Sequence, residues 1–130
     1  MSITITANKL PTDTTIEYKQ ATAFSISIVP PSTDDIYRVL LVMTLFMKGA
    51  DDKKYGFRVE EEFHIHNDFV NMEEVYQYLY ADIFLPTAKA FDMALHSTGN
   101  ECVKNISFDV PPYSFFRESA AKSLLIHDSN

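Results

Sequence analysis

The chain has 130 residues, 46% of them hydrophobic, with 18 acidic against 11 basic side chains and a net charge of −7. This length and apolar content suit one domain, residues 1–130, with a real core, and exclude an intrinsically disordered segment. The acidic balance works against a nucleic-acid partner, whose phosphates need clustered Lys and Arg, and the basic pair Lys53-Lys54 directly follows Asp51-Asp52.

The N-terminus lacks both a basic and an apolar signal region, and the run from Val39 to Met43 is too short to cross a bilayer. Cys102 is alone, so no internal disulfide can form, and a cytoplasmic protein with no direct membrane insertion is expected.

Residues Ile3 to Thr6 alternate apolar and polar and predict a short edge strand. Pro11 and Asp13 make Leu10 to Thr15 a turn or loop. A second extended run covers Ile16 to Val29, where Phe24, Ile26 and Ile28 alternate with Ser25 and Ser27; Pro30-Pro31 ends it. The stretch from Ile36 to Met47 is apolar on both faces, with Tyr37, Val39, Leu41, Met43, Leu45 and Met47 on one and Ile36, Leu40, Val42 and Phe46 on the other. Periodicity alone does not separate a buried helix from a buried strand here. The β-branched content and the Gly49-Ala50-Asp51-Asp52 turn favour a strand, hairpinned to the next. Its second face needs a cover other than water, and subunit association supplies one economically.

From Tyr55 to His66 the alternation is clean. Tyr55, Phe57, Val59, Phe63 and Ile65 share one face, while Arg58, Glu60, Glu62, His64 and His66 share the other; Glu61 alone breaks the pattern. Asn71 reads as an N-cap, with Glu74 placed to reach back in a capping box. Val75, Leu79 and Ile83, then Phe84, Ala88, Phe91 and Leu95, form the stripe of one long helix. Pro86 predicts a bend there or a break just before it, and Gly99 a C-terminal stop. A shorter helix from about Tyr113 to Leu125 closes the chain. Strands first and helices after predict an α+β domain: a four-stranded antiparallel sheet with the long kinked helix and the shorter helix packed on one face.

These segments resemble the SecB family of export chaperones. The resemblance rests on Asp34-Asp35 leading the apolar strand, Phe63-His64-Ile65 ending the next, Phe84-Leu85-Pro86 with Ala88-Lys89 inside the long helix, and Pro111-Pro112 before Phe115. It covers roughly residues 15 to 125, and the order and spacing of the motifs carry it. It implies an ATP-independent holdase, a homotetramer built as a dimer of dimers, that holds unfolded or nascent polypeptides for export or holds one dedicated partner such as an antitoxin. A client groove must accept many sequences, and adaptable apolar walls serve that end. The candidates for it are Phe46, Phe63 and Ile65 from the strands, with Val110, Tyr113, Phe115 and Phe116 from the closing segment. Phe115 and Phe116 are helix neighbours and cannot point the same way. Two departures weaken the link to the family's SecA ATPase partner: Glu60-Glu61-Glu62 stands where the family places a glycine pair, and Arg58 where it places an acidic residue.

Each of these residues also has a plain reading as core, surface or turn. His64 and His66 share a strand face, but a tetrahedral metal site needs four placed ligands and a solvated pair is the simpler reading. The three glutamates split across both faces of the strand, so they read as a solvated acidic surface rather than a carboxylate dyad. Three glycines make no phosphate-cradling loop, and no cofactor or catalytic constellation is expected. The alternative function is a small-ligand binding protein or enzyme on an unrelated α+β fold, with its pocket between helix and sheet. Folds of that kind that place the long helix before most strands do not match the order here.

Overall fold

The computed structural model describes residues 4–7 and 9–128, with the side chains of the last helix described as far as Leu124. Strands β1 (Thr6–Ala7), β2 (Tyr18–Val29), β3 (Ile36–Gly49) and β4 (Lys54–His66) form one sheet in the order β1-β4-β3-β2. β1 runs antiparallel to β4, with Thr6 opposite Arg58 and Ala7 opposite Phe57. β2, β3 and β4 are neighbours joined by links too short for a crossover, so they are antiparallel as well. The predicted edge strand thus forms at Thr6–Ala7, whereas Ile3 lies outside the described residues.

Helices follow: α1 (Met72–Tyr78), a π-helical turn (Leu79–Phe84), α2 (Leu85–His96) and α3 (Tyr113–Asp128). The α+β class, with its sheet, long helical segment and shorter closing helix, agrees with the sequence reading. Pro86 does not break the helix, as one of the two expectations had it. A proline cannot donate to the carbonyl four residues back, and the chain meets this by widening into the π turn, where the Leu85 N–H reaches the Tyr80 carbonyl. The stop also falls earlier than Gly99. α2 ends at His96, the Ser97 and Thr98 hydroxyls donate to the Ala94 and Leu95 carbonyls at 2.8 Å each, and Gly99 takes the left-handed conformation (φ 73°) in the turn beyond. Among the described residues no helix is long and apolar enough to cross a membrane.

The chain divides into two compact units. One comprises Met1–Phe24, Met43–Val59 and Thr87–Asp109. Its hairpin closes with the Gly49 N–H on the Lys53 carbonyl at 2.9 Å and the Asp52 N–H on the Gly49 carbonyl at 3.0 Å. Asp52 holds the left-handed position at φ 64°, which a short polar side chain tolerates. Gly49, expected in the turn, is instead the last residue of β3 and is buried. A Cβ there would stand 2.9 Å from Ile16 Cδ1 and 3.2 Å from Tyr18 Cε1, so only glycine fits without a shift. The core of this unit is Met43, Leu45, Met47, Phe57, Phe91, Leu95 and Val103. Phe108 meets the Phe91 ring at 5.9 Å and donates its N–H to Asp92 at 2.7 Å; burial pushes the Asp92 carboxyl up.

The other unit comprises Ser25–Val42, Glu60–Pro86 and Val110–Asn130. Its helix start follows the sequence reading at the cap, where Asn71 Oδ1 accepts the Glu74 N–H at 3.0 Å, while Glu74 reaches back one residue beyond the cap of a capping box, to the Val70 N–H at 2.8 Å. Ile28, Val39 and Leu41 from the sheet, Val75, Leu79 and Phe84 from the helical segment, and Phe116 and Ala120 from α3 are among its buried residues. Ser123 Oγ accepts the Ile28 N–H at 3.3 Å, which ties α3 to β2.

On β3 the two apolar faces part company. Tyr37, Val39, Leu41, Met43, Leu45 and Met47 are buried, while Ile36, Leu40, Val42 and Phe46 stay half-buried or exposed.

Candidate functional site

The second unit holds an open cavity of about 530 Å³ beside the end of β4. Strand alternation delivers Phe63 and Ile65 to it, the loop after β4 adds Phe69, and the helical segment adds Tyr78 and Ile83. The aromatic rings support one another. Phe69 meets Tyr37 edge-on at 6.4 Å and Tyr78 at 5.4 Å, and the Tyr37 hydroxyl lies 3.5 Å from the Met72 sulfur. The wall is therefore apolar and fixed by packing.

Its rim is polar. His64 Nε2 stands 3.1 Å from Glu62 Oε1. His66 Nδ1 stands 3.0 Å from Asp68 Oδ1, and its Nε2 stands 4.0 Å from Asp35 Oδ2. Each histidine thus faces its own carboxylates, and among the described residues no three His, Cys, Asp or Glu side chains group to hold a metal. Cys102 sits in the first unit, half-buried, its thiol 3.6 Å from the Asp13 carbonyl and 3.9 Å from the Tyr18 hydroxyl. Burial foremost, with the thiol's help, pushes Tyr18 up to about 12.

A strand edge runs alongside this cavity. β4 has β3 on one side, and on the other β1 pairs with it only at Phe57 and Arg58. Among the described residues no strand pairs with that side of β4 from Val59 to His66. An extended chain added there would run past Phe63 and Ile65.

The seven residues singled out by the sequence do not gather in one place. Phe63 and Ile65 come together in the cavity. Phe116 is fully buried: its ring lies 5.0 Å from Phe84 and 5.2 Å from Tyr80, so it presents nothing to a ligand in this state. Tyr113 is half-buried against the same Tyr80 ring at 5.4 Å, and its hydroxyl donates to Glu73 at 3.3 Å. Burial, then the Glu73 charge, pushes that hydroxyl up. Val110 and Phe115 are exposed at the surface, at 46% and 55%, and neither lines the cavity. Phe46, 51% exposed, belongs to the first unit, on the sheet face away from the core.

Sequence reasoning did not single out Phe69, Tyr78 and Ile83. Ile83 sits on the helix stripe that reads as core. Phe69 carries the one signal available: an aromatic in the polar loop before an N-cap has no periodic reason to be apolar.

No family model and no curated protein matches the chain. Among solved structures it is similar to the Mycobacterium tuberculosis SecB-like chaperone Rv1957 in complex with a ChAD peptide from the Rv1956 HigA1 antitoxin. The identity is 9%, 84% of each chain is covered, and the TM-score is 0.46.

Proposed function

We propose that this chain is an ATP-independent holdase that binds apolar segments of unfolded or nascent polypeptides in the cavity beside β4. The observation that carries the reading is an apolar, open-sided wall beside a strand edge: Phe63, Ile65, Phe69, Tyr78 and Ile83 line the cavity, and Phe63 and Ile65 also belong to the edge strand β4. Such an edge offers backbone hydrogen bonds that any sequence can use, and the wall takes side chains on the basis of apolar area. The aromatic rings of the wall offer apolar area to clients of different sequence, and the carboxylate and histidine rim is polar. The function is binding, and the chain works as one domain and assembles as a tetramer in the cytoplasm. Its clients are either export substrates or one dedicated partner of the antitoxin kind.

The test is suppression of aggregation of a chemically unfolded protein without nucleotide, beside light scattering of the chain alone. The wild type is expected to hold the client soluble as a tetramer. Phe63→Ser is expected to raise the concentration needed by about tenfold, in line with loss of one central anchor, while retaining its fold. Phe115→Ser, outside the cavity, is expected to behave as wild type. A monomer without effect on aggregation, or a Phe63→Ser chain as active as wild type, sinks the reading.

A further inference from the structure

The first unit carries a second surface, unrelated to the cavity, on the outer face of the sheet. The Ala50 N–H donates to the Glu17 carbonyl at 3.0 Å and the Gly49 N–H to the Lys53 carbonyl at 2.9 Å, which fixes how β2, β3 and β4 stand abreast. Counting along the strands from those bonds sets Lys19, Lys48 and Lys54 in one row across three strands. The next row on the same face is Ala21, Phe46 and Gly56. A Cβ at Gly56 would lie 3.9 Å from Phe46 Cδ1, so the ring leans over the glycine and leaves its other side open, 51% exposed. Lys19, Ala21, Phe46, Lys48 and Lys54 together line a depression of about 340 Å³.

Like charges set directly opposite one another across strands destabilise a sheet. Of the three lysines only Lys48 has an ion-pair partner among the described residues, Asp52 at 3.5 Å, and both of those side chains are largely exposed. Glu17 and Asp52 line the neighbouring hollow with Lys19 and Lys48. In a chain of net charge −7, a cation row bordering an exposed aromatic is a local inversion of sign. A second copy of the chain is a poor cover, since a two-fold contact centred here sets the same lysines against each other.

We infer that this face docks an extended acidic peptide segment of a partner, with an apolar side chain laid on Phe46 and a carboxylate on the lysine row. The two rows are one strand repeat apart, about 7 Å, so the segment carries its carboxylate two residues from its apolar anchor. Charge complementarity selects the partner, and Phe46 supplies the apolar contact. This surface is independent of the holdase reading, because Phe63 and Ile65 take no part in it.

The test is fluorescence anisotropy of labelled peptides built on Phe-Ser-Glu repeats and on Phe-Ser-Lys repeats. The acidic peptide is expected to bind at least about tenfold more tightly than the basic one, with an affinity that falls as salt rises. Phe46→Ser alone, and Lys19→Glu with Lys54→Glu, are each expected to weaken it at least about tenfold, whereas Phe115→Ser, outside both this face and the cavity, leaves it unchanged. All these positions are exposed, and a cooperative melting transition no lower than that of the wild type shows that the variants fold. Equal binding of both peptides, or no binding of either, overturns the proposal. So does binding indifferent to the variants, a preference for a duplex oligonucleotide, or self-association abolished by Phe46→Ser.

Discussion

At the scale of single residues, Phe115 and Phe116 mark the contrast between surface and core. Their adjacency on a helix requires them to diverge, but which one turns inward is set by Tyr80 and Phe84, far away in sequence. Phe116→Ala is expected to cost about 3–5 kcal/mol in denaturant unfolding, and Phe115→Ala no more than about 0.5 kcal/mol. Asp34 makes a prediction of another kind. The Arg38 guanidinium beside it holds its carboxyl below the ordinary value of 3.8. A depressed carboxylate contributes stability that is present above its unfolded pKa and lost as pH falls through the folded one. Melting temperature is therefore expected to fall below about pH 4, and less steeply in Asp34→Asn, which has no carboxylate to protonate. An identical acid limb in wild type and variant would remove the pair from any role in stability.

Among the elements, the helix start was the most legible, because capping is local: Asn71 caps the helix as its position implies, and Glu74 reaches back, to the Val70 N–H. Asn71→Ala is expected to cost about 1 kcal/mol in thermal or denaturant unfolding. The π turn was not legible. A proline inside a helical stripe signals trouble with one hydrogen bond, but whether the backbone breaks, bends or widens is decided by what Leu79 and Phe84 must pack against. β3 poses a similar problem. Both its faces are apolar, so its own pattern does not say which one is buried; the alternation of Tyr55 to Ile65 on β4 decides it through pairing. The lysine row was invisible for a related reason, since residues 19, 48 and 54 meet only once the register is set. Lys54→Glu is expected to raise the melting temperature by relieving like charges while weakening the acidic peptide, and a lowered melting temperature would contradict that account.

At the scale of the whole molecule, the strands β2, β3 and β4 each give residues to both compact units, so each of these strands is one continuous backbone through both. A single cooperative transition is expected, with calorimetric and van't Hoff enthalpies equal; two resolved transitions would instead show two domains. The class of fold and the order of its parts could be read in the sequence, because periods of 2 and 3.6 are properties of short segments. The cavity could be read only in part. Phe63 and Ile65 declare themselves by alternation, whereas Phe69, Tyr78 and Ile83 become its walls only through the tertiary fold.

The central claim is that a client chain lies along the end of β4 and over this cavity. Amide hydrogen exchange, with and without a reduced and permanently unfolded client, tests it most directly. Slowed exchange centred on residues 60–69 and 76–83, and lost in Phe63→Ser, is the expected result. Client binding that leaves those residues unprotected and slows exchange elsewhere would contradict the account.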